Sequence, residues 1–552
     1  MPKTVTGKLD RAQLRTLGAG LSEADISIYS LSNAARQPPT TRMERKLQKL
    51  WAHTLSISDL GLIGVDDDFF HLGADSIAAM KLVSRAQTEK LALSVAAIFL
   101  HPTLSAMASH LELVVTQDFA NEKTIEPLQL IEYALRRKTL EEVATVLAVS
   151  EDDVQDIYPC TPLQTGLIAI SSRQSGAYTA KMSFRMPASM DTRYFQDVWQ
   201  QVYDNNPILR TRIVQSSTTG SMMQVVMRRE KIDWQKGKSL REYSKSEAQN
   251  SMATTTKLTR YGIVEEDYER YFVFTAHHAV YDGWSVALLA KQVEQLYKHG
   301  VAPNLATFNH FISYLSSLEN QVSEEYWLRQ LGGPSVPSSF PVLASASYQI
   351  NATRKAEYRI SIPKEGRSTF MPSIVLRAAW AMLSARYSES DDVVFGVTLS
   401  GRNAPVPGIS EMMAPTITTV PMRIVIDKSS SVNDFLQSLQ DQSVAMIPHE
   451  QFGLQNIRRL LHDKRRDPAA ADFKNLFVVQ PAEESGEQID FLGLEALPQE
   501  LEDTESFALA LECRLHQDWE VHVIVQHDCQ IISEDRMSWI INQFQHVANQ
   551  LA

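Results

Sequence analysis

Cysteine is scarce: Cys160, Cys513 and Cys529 are the only three in 552 residues. Odd in number and without ligand spacing, they give no disulfide framework and no zinc site, and they fit a reducing, cytosolic compartment. Long hydrophobic runs are missing as well. No apolar stretch approaches the ~20 residues of a membrane span, and the basic residues near the N-terminus have no apolar core behind them, so neither a membrane anchor nor a signal peptide is expected. Positive charge is in deficit, with 53 Lys and Arg against 65 Asp and Glu and a net charge of −12. That balance argues against nucleic acid as a main partner. What remains is ordinary soluble protein, 44% apolar and 21% charged, long enough for about three or four domain-sized units.

Residues 1–40 read as irregular and end in Pro38-Pro39. A helical unit follows over 41–116. Thr41 and Glu44 make a capping box, after which Met43, Leu47, Leu50, Trp51 and Leu55 share one helical face. A second helix opens at Gly73-Ala74-Asp75-Ser76 and carries Ile77, Met80 and Val83; a third starts near Thr103 with Leu104, Met107 and Leu111 inward. The result is a small all-α bundle, near the lower size limit for an independent core. Residues 117–156 read as an acidic, partly helical linker. From Ile157 to the end, strands alternate with helices, including strand candidates at 393–397, 473–479, 507–511 and 521–525 and a closing helix with Met537, Ile540, Ile541, Phe544 and Val547. This length of α/β pattern suggests two lobes, about 157–345 and 346–552.

The most informative stretch is Tyr271–Ser285, YFVFTAHHAVYDGWS. An uncharged, β-rich run breaks into His277 and His278, with Asp282 four residues after the second and Gly283 behind it. Val286, Leu289, Val293 and Leu296 then recur at helical spacing, so the histidines lie on a tight strand-to-helix connection. Neutral imidazole is well suited to accept a proton from an amine or alcohol nucleophile. Taken alone, the pattern fits equally a satisfied core histidine followed by a turn aspartate that caps the next helix.

Other motifs give that loop a context. DDFFHLGADSIAAMKL (67–82) resembles the phosphopantetheine attachment site of the peptidyl carrier, or thiolation, domain of nonribosomal peptide synthetases. YPCTPLQ (158–164) resembles the opening motif of their condensation domains, HHAVYDGWS the condensation active-site motif, and PKTVTGKLDRAQLR (2–15) the last motif of an adenylation domain, with Lys8 similar to its lysine. The resemblance implies a carrier bundle followed by a two-lobed α/β condensation domain, each lobe chloramphenicol-acetyltransferase-like. It implies 4'-phosphopantetheine attached covalently to Ser76, a phosphopantetheinyl transferase, upstream adenylation and other synthetase domains and a tethered peptide as partners, and no metal.

Carried over residue by residue, the resemblance makes His278 catalytic, either as base or as positioner of the nucleophile, and the Gly283 amide is a candidate donor to the developing oxyanion. His277 and Asp282 become structural. It pairs Asp282 with Arg210 in NNPILRTRI; Trp284 and Ser285 are candidates to line the tunnel, although an aromatic at a helix start is more often simply packing. Ser400–Arg423 is similar to the segment that bridges the lobes. IPHEQFGLQNI (447–457) resembles a later motif usually containing HxxxPF, but lacks its proline; His449 is read as structural. A late motif expected near Asn475 is not recognisable, a departure that points to a fungal lineage.

Several relatives of this chemistry are disfavoured. Heterocyclisation domains replace the first histidine by aspartate; epimerisation domains usually continue Ser-Trp where this chain has Ser285-Val286. A CoA-dependent acyltransferase has no use for Ser76, and a scaffold module has none for an intact HHxxxDG. Two condensation readings remain. The preferred one is a terminal domain that cyclises and releases its peptide, because a carrier upstream of a last condensation domain is the minimal unit for release. An excised internal piece, elongating toward a downstream aminoacyl carrier, is the alternative, and the adenylation remnant at the start reads as a cut.

Overall fold

Thr41 opens the first described helix, Arg42–Thr54, through the expected reciprocal capping box with Glu44. The computed structural model describes residues 36–74, 76–89, 91, 93–114, 125–174, 176–301, 306–333, 335–345, 348–362, 370–481, 491–497, 507–516 and 520–552. The adenylation-like motif at 2–15, Lys8 included, and Asp75 lie outside them. Two compact units result, one up to residue 119 and one from residue 120.

In the first unit, helices Arg42–Thr54, Ser76–Thr88 and Leu104–Val114 bury Leu47, Trp51, Met80, Val83, Leu104, Met107 and Leu111. Periodicity missed a fourth, the short Val95–Leu100 helix capped by Ser94, because six residues are under two turns.

The second unit begins before the strand-rich region. Helix Arg136–Leu147, expected in a linker, packs Val143 with Ile131, Val154, Ile157, Val214 and Val225. Its Glu142 carboxylate accepts from Ser216 Oγ at 2.7 Å, Ser217 N–H at 2.6 Å and Thr218 N–H at 3.1 Å. Burial works against the charge, but the Ser217, Ser216 and Thr218 donors prevail and bring the Glu142 pKa down to about 2.

The first lobe contains β1 (Val154–Pro159), β2 (Thr179–Met186), β3 (Thr211–Gln215), β4 (Met222–Met227), β5 (Trp234–Gly237), β6 (Thr259–Glu266) and β7 (Glu269–His277). The second contains β8 (Arg354–Ser361), β9 (Asp392–Leu399), β10 (Thr418–Val425), β11 (Asn475–Pro481), β13 (Leu509–Leu515) and β14 (Glu520–His527), while β12 (Glu495–Ala496) crosses over. The sheets run β12-β2-β7-β6-β5 and β1-β4-β3 in the first lobe, and β10-β9-β11-β13-β14-β8 in the second.

The crossing strand departs from the expected partition at 345/346. Glu495 and Ala496 pair antiparallel with Arg185 and Phe184 of β2, and Phe491 sits edge-on to Phe184, so a piece of the second half of the chain completes the first lobe. Each lobe has its own aromatic core, built on Phe195, Trp199, Phe272 and Phe274 in the first and on Trp380, Phe395, Phe477 and Phe544 in the second. Central β7 is buried from Phe272 to His277, which is why its sequence is an unbroken uncharged run.

Candidate active site

His277 is the last residue of β7, and the two histidines leave the strand with opposite fates. The His277 N–H donates to the Leu258 carbonyl at 3.0 Å, and the His278 N–H to the Tyr178 carbonyl at 2.8 Å. His277 is fully buried. Its Nδ1 accepts from the Ala279 N–H at 3.0 Å, so the proton sits on Nε2, which donates to Ser171 Oγ at 2.7 Å. The Ser171 hydroxyl in turn donates to the Leu167 and Ala177 carbonyls. Burial first, then the neighbouring His278, pushes the His277 pKa down to about 3. A neutral imidazole with both nitrogens engaged braces the loop.

His278 has the reverse tautomer. Its Nδ1 lies 2.8 Å from the Tyr281 carbonyl, which can only accept, so Nδ1 carries the proton and Nε2 keeps its lone pair. The ring is half-buried and lies parallel to the Tyr281 ring, with centroids 4.8 Å apart and planes at 7°.

Asp282 caps helix Gly283–His299. The Ser285 N–H donates to Asp282 Oδ1 at 2.7 Å, and the Asp282 N–H donates to Ser285 Oγ at 2.8 Å. The same carboxylate accepts from Arg402 Nη2 at 3.3 and 3.4 Å and from the Thr416 N–H at 3.0 Å. Both ionic side chains are fully buried. Burial lowers the Arg402 pKa and Asp282 opposes it, leaving a group that stays charged. Arg402 Nη1 donates to the Ile409 and Met412 carbonyls at 2.5 and 3.0 Å, and Nη2 also to Ala414 at 3.0 Å.

The partner of Asp282 is therefore Arg402, which corrects the expected pairing with Arg210. Arg210 is buried elsewhere, its guanidinium taken up by the carbonyls of Tyr203, Asp204 and Met227 and by Gln155. Arg402 reaches Asp282 because Gly401 turns the chain at φ +67°, where a Cβ would stand 1.8 Å from the Thr416 carbonyl oxygen. The sequence carried a signal for it, since Arg402 belongs to the SGRNAP stretch that heads the bridging segment.

Ser285 is also corrected. It is fully buried as the reciprocal member of the cap and lines no open space. Trp284 donates its indole N–H to the Ser410 carbonyl at 2.8 Å and lies beneath the Arg402 guanidinium, 5.5 Å from the ring centroid. Gly283 is exposed, and a Cβ built on it would meet nothing within 4 Å. His449 is bonded to Ser323 Oγ and stacked on Tyr326.

Sequence reasoning missed Gln164, whose side-chain amide donates to the Ala279 carbonyl at 2.8 Å and to Gln224 Oε1 at 2.9 Å. The clue was its place at the third position after Thr161, where it closes a capping box. In the first unit, Ser76 begins helix Ser76–Thr88, after Gly73 at φ +99° with open space at its Cβ position. A serine at a helix start, among first-turn N–H groups, suits a phosphodiester.

Comparison with known proteins agrees with these features. Residues 154–552 match the condensation domain family and residues 45–111 the phosphopantetheine attachment site family. The chain is 38% identical over 561 residues to nonribosomal peptide synthetase atnA of Emericella nidulans, covering 100% of this chain and 8% of that protein. It is 37% identical over 559 residues to gloA of Glarea lozoyensis, covering 99% of this chain and 8% of that protein. The chain thus spans a small part of the synthetases it matches. Among solved structures, one described as "The crystal structure of holo T3CT" is similar at a TM-score of 0.59 and 19% identity, over 77% of this chain and 98% of that one. The starter condensation domain of rhizomide synthetase RzmA is similar at a TM-score of 0.57 and 16% identity, over 72% and 96%; both likenesses concern the fold. The chain belongs to the condensation domain family of nonribosomal peptide synthetases, amide-bond-forming enzyme domains, and carries a phosphopantetheine attachment domain ahead of it.

Proposed function

We propose that this condensation domain acts on a peptidyl thioester carried at Ser76 and releases the peptide by intramolecular amide-bond formation, with His278 as the catalytic histidine. The observation that carries the reading is the His278 tautomer: with Nδ1–H committed to the Tyr281 carbonyl, Nε2 is the acceptor for a proton from the attacking amine. Phosphopantetheine, when attached to Ser76, supplies the thiol that holds the acyl group as a thioester. The rest belongs to the chain's own side chains. His278 receives or orients the nucleophile's proton, and His277, Asp282, Arg402 and Gln164 hold the loop in place. The N–H of Gly283, at the positive end of its helix and beside open space, is the donor for the developing oxyanion.

Release by cyclisation fits a carrier placed directly ahead of the condensation domain, the smallest unit that can present an acyl group for it. Holding the thioester and an amine of the same peptide in one site makes the encounter unimolecular, an advantage that reaches on the order of 7–11 kcal/mol at best. Product analysis separates this from elongation. The holo protein loaded with a synthetic peptidyl-pantetheine should release a product lighter than the linear acid by one water without any added carrier. Stable loading that discharges only when an aminoacyl carrier is supplied would make the domain elongating, and absence of loading that is equal in wild type and Ser76→Ala would remove Ser76 from the account.

A further inference from the structure

His278 is held from two directions by a single residue. In the plane of the imidazole, Nδ1–H donates to the Tyr281 carbonyl at 2.8 Å. Against its face, the Tyr281 ring lies parallel at 7°, with a centroid separation of 4.8 Å, an offset stack. The carbonyl alone fixes which nitrogen carries the proton, but leaves the ring free to rock about that bond. The stack removes the second freedom, because a tilted imidazole would lose its contact or collide with the tyrosine.

We infer that Tyr281 is a positioning residue for His278, its ring clamping one face of the imidazole so that Nε2 and the opposite face alone meet the substrate. The inference rests on the reading of His278 as the catalytic histidine. One consequence follows from the chemistry of the stack. The favourable contact belongs to the ring and not to the hydroxyl, so phenylalanine should replace tyrosine while an aliphatic side chain should not.

The rest of the loop supports a division of labour. His277 is anchored through Ser171, Ala279 through Gln164, and Asp282 through Ser285, Arg402 and Thr416. Each of these fixes backbone or a cap; among the described contacts, Tyr281 is the one whose ring lies on the His278 imidazole itself.

The test uses the full holo chain loaded with a synthetic peptidyl-pantetheine bearing a free amine, comparing wild type with Tyr281→Phe, Tyr281→Leu, Tyr281→Met and His278→Ala. Single-turnover release is followed, and the orientation and hydrogen bonding of the His278 imidazole are read by NMR of ring-labelled histidine, its signal assigned by its loss in His278→Ala. Two aliphatic variants are included so that one folded example suffices. The expected result is release slowed about tenfold in Tyr281→Leu or Tyr281→Met, with the His278 ring resonances displaced or broadened as the imidazole loses its fixed orientation, and wild-type release restored to within about twofold by Tyr281→Phe. Aliphatic variants that release within about twofold of wild type, or slowed variants whose His278 ring resonances are unmoved, would overturn the inference. Full activity in His278→Ala is a different result: it would overturn the reading beneath the inference and the inference with it.

Discussion

Asp282 and Arg402, 120 residues apart in sequence, form a fully buried ion pair that joins the cap of helix Gly283–His299 to the segment bridging the two lobes. Arg402 also binds three carbonyls of that segment, so one guanidinium organises both sides of the junction.

Breaking this pair from either side should leave an uncompensated buried charge and cost about 3–5 kcal/mol. Asp282→Asn and Arg402→Met should each lower the urea midpoint steeply, and the double variant should lose much less than the sum. Arg210→Met should destabilise through its own carbonyl network and add to Asp282→Asn within about 0.3–0.5 kcal/mol. Double-mutant cycles on urea unfolding check both, and coupling of Asp282 to Arg210 in place of Arg402 would contradict the assignment.

That pairing also marks the limit of what the sequence made legible. The strand-to-helix placement of His277, His278 and Asp282 followed from an uncharged run and a helical period, both of which are local. The capping boxes at Thr41 and Asp282 are local too, and what the sequence left open in the second is that Ser285 closes it in place of lining a tunnel. The partner of Asp282 depends on a chain crossing set by the Gly401 turn, and no periodicity encodes it. The same holds for β12, two residues that join the other lobe's sheet, and for the Ala279 carbonyl, whose donor Gln164 lies 115 positions away.

His277 gives stability a pH dependence of known sign. Its folded pKa of about 3 is below its ordinary value of 6.5, so the unfolded chain binds the extra proton between these limits. The contribution is complete above about pH 6.5 and is lost as the pH falls toward 3, with a slope of up to ~1.4 kcal/mol per unit from this one group. His277→Gln should flatten the pH dependence of unfolding free energy between about pH 6.5 and 5, measured by urea titrations at closely spaced pH values. An unchanged slope would show that His277 titrates normally in the folded chain.

Gln164→Leu should leave the Ala279 carbonyl and Gln224 Oε1 without their buried donor, at about 1–3 kcal/mol for each group left unsatisfied. Amide exchange at 278–281 should rise with it, since the brace acts on that backbone. Denaturant unfolding and hydrogen exchange report the two effects separately, and a variant as stable as wild type would deny Gln164 its role.

Gly283→Ala separates fold from chemistry. With nothing within 4 Å of the new methyl group and a helical position to occupy, the substitution should raise stability by about 0.4–1 kcal/mol. If the space above Gly283 serves the thioester carbonyl, release should slow at the same time. A thermal melt paired with single-turnover release gives both numbers; a stabilised, fully active variant would show that the thioester carbonyl does not occupy the space above Gly283.

The central claim is that His278 acts on the thioester carried at Ser76. Its most direct test is time-resolved intact mass of the loaded holo protein, wild type beside His278→Ala. The account predicts that the wild type sheds its acyl group as a dehydrated product while His278→Ala, loaded to the same extent and equally folded, keeps it. Equal rates of acyl loss giving the same product in both proteins would contradict the account.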